Sequence, residues 1–196
     1  MKIIYYNGPA SSGKDSSAKA VFKYLKALNY PVVFERFSAP LKLSFSAMTG
    51  TKYNEFYENE VYEIIKDEPL ELLNGKTFRR WQIECSENFM KPLYGKDIFG
   101  KLFFKRLEAY PQNSLVVVPD SGFDIEIEVA EKQQLLPVEN MVLFRMHRAG
   151  FDFTGDSRSY VYPKKFKSTD FFNDNLEETE TAARAFAKAF VEGKDF

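Results

Sequence analysis

A chain of 196 residues with 27 Lys plus Arg against 28 Asp plus Glu lacks the strongly cationic surface that grips duplex nucleic acid, while a local basic cluster for a small anion stays compatible. Its longest apolar runs, such as Leu115–Val118, are too short to cross a bilayer, and the lone Cys85 excludes an intramolecular disulfide. With no secretory pattern after Met1-Lys2, a one-domain soluble protein of a reducing cytoplasm is expected. The 20 Phe and 11 Tyr are expected mostly in a core, with some able to stack on a base.

In chain order, residues 2–6 read as a buried strand, "GPASSGKDS" as a turn, and 16–28 as a helix with Ala20, Tyr24, Ala27 and Leu28 on one side. Residues 31–37 supply a second strand, and Ala39-Pro40-Leu41-Lys42 opens a helix with Pro in its first turn. From Tyr53 to Tyr110 the pattern is mostly helical, in "NEVYEIIKDEPLELL", "TFRRWQIECSENFM" and "DIFGKLFFKRLEAY", broken at Pro69, Gly75 and a turn from Pro92 to Gly95. Leu115–Val118 is unalternated, as in a central parallel strand covered on both faces, and it ends at Pro119-Asp120. A helix over 123–134, a strand over 138–146, a polar loop "HRAGFDFTGDSRSYVYP", a last strand over 165–172 and an amphipathic helix over 176–192 complete the chain, the last with Ala182, Phe186, Ala189 and Phe190 inward. This alternation predicts an open, mostly parallel α/β sheet with right-handed crossovers.

The turn matches the phosphate-binding pattern G-x-x-x-x-G-K-[ST] except at Asp15. Between a strand and a helix, such a loop turns backbone N–H groups into one concavity, the helix start adds a positive end and Lys14 a full charge, so an anion is the natural occupant. Gly8, Ala10, Ser11, Ser12, Gly13, Lys14, Asp15 and Ser16 are the candidate nucleotide-binding residues. Asp15 could bind a metal directly, bind it through water, orient an acceptor, or stabilise the helix N-terminus. Ser16, one position late, is a lesser metal candidate. Asp120, at the carboxyl edge of the sheet where open α/β folds build their sites, is placed for a second metal carboxylate, a general base, or an N-cap. His147 falls in no nucleophile or metal pattern, and Glu126 sits in a first helical turn.

Taken together, these stretches resemble the phage-type deoxynucleoside monophosphate kinases, a group of P-loop nucleoside monophosphate kinases. "GPASSGKDS" looks like that family's G-x-x-x-S-G-K-D-[ST], in which the Asp is a regular feature, and "RFSAPLK" is similar to its S-F-A-x-P-L-K. "FRRWQIECSENFMKPLYGKDIFGKLF", "VVVPDSGF-DIE" and "STDFFNDNLEE" resemble an arginine-bearing helix followed by G-x-D-x-[FW], a strand ending D-x-R-F-x-x-E, and an N-D-x-x-L-E-E turn. Gly122 departs from the family's usual Arg, and the spacing of Arg79 and Arg80 to Gln82 departs as well.

The resemblance implies a three-layer P-loop NTPase fold with a core of 1–37 and 112–196, a helical acceptor-binding region of about 38–111, and a lid of about 148–165. It implies ATP and Mg²⁺ as cofactors and phosphorylation of deoxynucleoside 5′-monophosphates to diphosphates. Lys14 would contact the transferring phosphates; Asp15, Ser16 and Asp120 are the metal candidates. Arg145 and Arg148 flank the entry to the polar loop and Arg158 lies within it; the resemblance makes this the lid that delivers their guanidinium groups, or else they belong to a solvated loop. Arg36, Lys42, Arg79 and Arg80 are candidates for the acceptor phosphate, only one of the adjacent pair facing the site, with Phe37 or Trp81 stacking on the base unless Trp81 is core. Small-molecule nucleotides are the expected partners, with no stable nucleic-acid complex and no membrane; a homodimer is compatible. The expected location is cytoplasmic, in an infected bacterial host if the chain is phage-encoded. Two other readings stay open: a kinase of another small molecule or of a modified base in DNA, disfavoured by the charge balance, and a nucleotide-binding regulator without turnover.

Overall fold

The computed structural model describes residues 1–50 and 66–194, and it divides into two units, Met1–Phe37 with Gly100–Phe196, and Ser38–Phe99. In chain order the first part carries β1 (Lys2–Asn7), α1 (Lys14–Ala27), β2 (Val32–Phe34) and α2 (Ala39–Thr49). The middle carries β3 (Pro69–Leu70), β4 (Lys76–Thr77), α3 (Phe78–Cys85) and α4 (Lys91–Tyr94). The last part carries α5 (Ile98–Leu107), β5 (Leu115–Val118), α6 (Asp124–Gln133), β6 (Met141–His147), β7 (Lys167–Phe172) and α7 (Leu176–Glu192).

The first unit is α/β, with a five-stranded sheet in the order β2-β5-β1-β6-β7 whose pairings are all parallel. Burial on both faces explains why β1 and β5 read as apolar runs. Ile4, Tyr6, Val117, Phe144 and Met146 face one layer, where they pack with Ala18, Val21 and Leu25 of α1 and Ala183, Ala187 and Phe190 of α7. On the other face Tyr5 meets Phe37, Phe103 and Phe166 at centroid distances of 6.1, 6.4 and 5.8 Å. There α5 runs close to α6: a Cβ on Gly100 would lie 2.6 Å from the Glu126 carbonyl oxygen. Tyr5 and Tyr6 are wholly buried, and burial pushes both phenol pKa values well above the usual range.

Several boundaries and faces differ from expectation. Of the positions expected inward on α1, Ala20 is buried and Tyr24 packs against the core, beside Ser17, Ala18, Val21 and Leu25, while Ala27 and Leu28 are exposed. In α7 the buried positions are Thr179, Ala183, Ala187 and Phe190, and Ala182 is exposed. β2 has three residues, because Arg36 and Phe37 turn away to other partners. β6 begins at Met141 after a 3₁₀ turn over Val138–Asn140. β7 begins at Lys167, since the N–H groups of Lys164 and Lys165 donate to Glu131 Oε1, both at 3.0 Å, instead of to a strand.

In the second unit, Phe45 and Phe78 form a small cluster with Leu70, Leu73 and Trp81. The expected helix "NEVYEIIKDEPLELL" lies outside the described residues over 59–65. Beyond them it is an antiparallel hairpin, Leu70 opposite Lys76, with a 3₁₀ turn over Glu71–Leu73. "TFRRWQIECSENFM" is helical as α3, with Thr77 accepting the Arg80 N–H as its N-cap. Pro92 does not break the chain there: a wider π turn over Ser86–Met90 leads into α4, whose first turn holds Pro92 and whose end is Gly95. Among the described residues no helix is long and apolar enough to cross a membrane.

Candidate functional site

The stretch from Gly8 to Gly13 leaves the carboxyl end of β1 and delivers the chain into α1. Gly8 is required by space: a Cβ there would lie 2.6 Å from Ser12 Oγ and 2.7 Å from the Met146 carbonyl oxygen. Gly13 is required by conformation. It caps α1 at φ 94°, and a Cβ would meet Asn173 Nδ2 at 2.3 Å. As Gly13 has no side chain to accept the first-turn N–H groups of α1, those donors and the helix dipole are directed at whatever the loop encloses. Ala10 and Ser11 are exposed, Ser11 at φ 61°. Ser16 is half-buried in the first turn of the helix. The hydroxyls of Ser12, Ser17 and Ser121 are buried and make no hydrogen bond, an uncommon state for buried polar atoms.

Lys14 is 7 % exposed, and its Nζ donates to the Pro9 carbonyl at 2.9 Å. Burial lowers its pKa, Asp15 opposes this, and Arg158 and Arg36 push it further down. Lys14 thus interacts with two cations and two carboxylates, Asp15 and Asp156, a set with one net positive charge. Asp15 Oδ1 accepts from Arg36 Nη2 at 2.9 Å. Arg36 is itself held from behind: Arg106 donates to its carbonyl at 2.6 Å and to Glu35 Oε2 at 3.1 Å, and Tyr110 donates to Glu35 Oε1 at 3.0 Å.

Around this loop, Arg148 Nη1 donates to the Ser11 carbonyl at 2.9 Å. Arg158 is bound to Asp156 through Nε and Nη2. Asp156 titrates below the usual carboxylate range: burial raises its pKa, but the hydrogen bonds and charge of Arg158 outweigh that. Arg145 turns elsewhere. Its Nε and Nη2 bind Asp170 at 2.9 and 2.8 Å and its Nη1 donates to Ser168 Oγ at 2.9 Å, so this arginine joins β6 to β7. His147 stacks between Tyr160 and Phe172 with Nε2 2.6 Å from Asp170 Oδ1.

Asp120 is not an N-cap, since α6 begins after Phe123; its Oδ1 accepts the Phe37 N–H at 3.0 Å. Phe37 is 2 % exposed, with its ring 4.5 Å from that of Phe103, which uses the ring in the core. Among the described residues, no three His, Cys, Asp or Glu side chains converge as a metal cage.

In the second unit Lys42 is buried in α2. Arg79 binds Asp67 through Nε at 2.5 Å and Nη2 at 3.0 Å. Arg80 pairs with Glu84 at 2.9 Å one helical turn on. Trp81 stacks on Phe78 at 5.7 Å and meets Phe45 edge-on at 5.2 Å, so it is part of that unit's core.

Residues that local pattern did not single out complete the loop's support. Asn173 Nδ2 donates to the Ser12 carbonyl at 3.0 Å and its Oδ1 accepts from Thr179 Oγ1 at 3.2 Å. Asn7, wholly buried, donates to the carbonyls of Ser121 and Ser159 at 2.8 and 3.0 Å and accepts the Val161 N–H at 3.0 Å. The available signal was the polar residue ending each apolar strand, where open α/β sheets place their sites. Compared with known proteins, the sequence matches no family model and no curated protein.

Proposed function

We propose that the chain is an ATP-dependent, P-loop nucleoside monophosphate kinase that uses Mg²⁺ and accepts deoxynucleoside 5′-monophosphates. The observation that carries this reading is the loop itself: a left-handed Gly13 at the start of α1, a buried Lys14, and the buried Ser12 hydroxyl without a partner. The Ser12 hydroxyl and the helix start are supports for an anion bearing several acceptor oxygens, as a nucleoside triphosphate does.

In the proposed reaction an acceptor phosphate oxygen attacks the γ-phosphorus of ATP, and the bond to the β-phosphate oxygen breaks, leaving ADP. Mg²⁺, bound with the nucleotide, would neutralise phosphate charge. Lys14 would exchange its Pro9 contact for the transferring phosphoryl group, and Asp15 or Asp120 would supply a metal carboxylate. Arg148 and Arg158 would close from the 148–165 stretch to exclude water and add positive charge. Arg36, Lys42, Arg79 and Arg80 remain the acceptor candidates.

ATP consumption with Mg²⁺, measured separately against each deoxy- and ribonucleoside monophosphate with products separated by chromatography, tests this. Diphosphate from one or a few deoxynucleotides is expected. Silence across the panel alongside measurable ATP binding would overturn it.

A further inference from the structure

Gly122, two residues past Asp120, is bare backbone over which the stem of Arg158 lies: a Cβ there would stand 2.5 Å from Arg158 Cδ and 2.8 Å from Cγ. Asp156 holds Arg158 at both ends: its Oδ1 accepts the Arg158 backbone N–H at 3.0 Å and Nε at 2.9 Å, and its Oδ2 accepts from Nε at 3.0 Å and from Nη2. The following residues are fastened to the end of β1, since Asn7 binds the Ser159 carbonyl and the Val161 N–H. We propose that Gly122 and Asp156 are positioning residues, the first leaving the room that the Arg158 stem fills and the second latching its guanidinium, so that Arg158 is held beside the Lys14 loop before substrate arrives. Both charged groups lie near enough to Lys14 to act on its charge, Arg158 disfavouring it and Asp156 favouring it.

What Arg158 then does rests on the kinase reading above; how it is held does not. An arginine ordered in advance loses less freedom on closing over a charged transition state than one that must be gathered from solvent. The smallest side chain at position 122 would displace it, because the atoms in the way belong to the stem and not to the mobile tip.

Two measurements test the proposal. In hydrogen exchange, Gly122→Ala is expected to speed exchange of the Arg158 amide about tenfold. Asp156→Asn, which keeps the number of heavy atoms and removes the charge, is expected to act in the same direction. In a kinetic cycle, Gly122→Ala is expected to lower kcat about tenfold with KM for ATP within about twofold, and to add less than about twofold when Arg158 is already alanine. Unchanged exchange in both variants would overturn the proposal, as would a Gly122→Ala loss that persists in full without Arg158. Faster exchange in a protein that phosphorylates no nucleotide would support the positioning and overturn the kinase reading alone.

Discussion

Lys14, Arg36 and Arg145 of the first unit are each less than a tenth exposed and bound to named oxygens, whereas Arg79 and Arg80 of the second have side chains 45 % and 63 % exposed and pair with acids in water. A buried cation gives up its rotamer freedom when the chain folds; an exposed one gives it up when a ligand binds. The first arrangement suits groups that must meet developing charge in a set geometry. The second suits groups that gather a substrate and let it go.

The sharpest way to break this contrast is to remove the most buried cation of the loop. Lys14→Ala should lower kcat about a thousandfold while circular dichroism shows the fold retained; normal turnover would end the argument from the loop. Arg158→Ala should lower kcat by at least about a hundredfold, with acceptor KM within about threefold. An unchanged kcat would take Arg158 out of the reaction. On the exposed side, either Arg79→Ala or Arg80→Ala should raise acceptor KM about tenfold, with each costing no more than about 0.5 kcal/mol in urea unfolding. A large stability loss from either would erase the distinction.

Arg145 offers a structural control. Asp170→Ala strands its guanidinium and should cost about 2 kcal/mol in urea unfolding. The pair also sets a pH response. Hydrogen bonds from Arg145, outweighing burial and aided by His147, hold Asp170 at about 2, below its ordinary 3.8. Because its folded pKa lies below the unfolded one, its contribution is fully present above about pH 4 and is lost as pH falls from there towards 2. Asp170→Asn should flatten that part of the acid unfolding curve.

The strands were legible because burial on two faces demands continuous apolar runs, as Leu115–Val118 shows, and α7 was legible from end to end because Asn175 and Gly193 bracket it as caps. The hairpin at Pro69–Thr77 was not: strands of two residues carry no period. Its signal was the Asn74-Gly75 pair, both at positive φ, a turn mark set among leucines that read as helix. Lys14 and Asp15 could be singled out from the loop alone. Their surroundings could not, since Asn173 reaches Ser12 across 161 positions and no local spacing encodes such a pairing. The same holds for Phe37 and Trp81, whose aromatic character marked them for a base but whose neighbours place them in two separate cores.

Asn7 leaves a chemical consequence. It precedes a glycine, the dipeptide most prone to lose its side-chain amide as the chain ages. Both of its amide hydrogens point at carbonyl oxygens, those of Ser121 and Ser159. The carboxylate formed by that loss would face two oxygens with no proton to share, and the junction of β1, the Ser121 turn and the Ser159 stretch would be pushed apart by its own repulsion. Folding protects the site by burying it, so the lifetime of the loop in storage should follow how often the first unit opens.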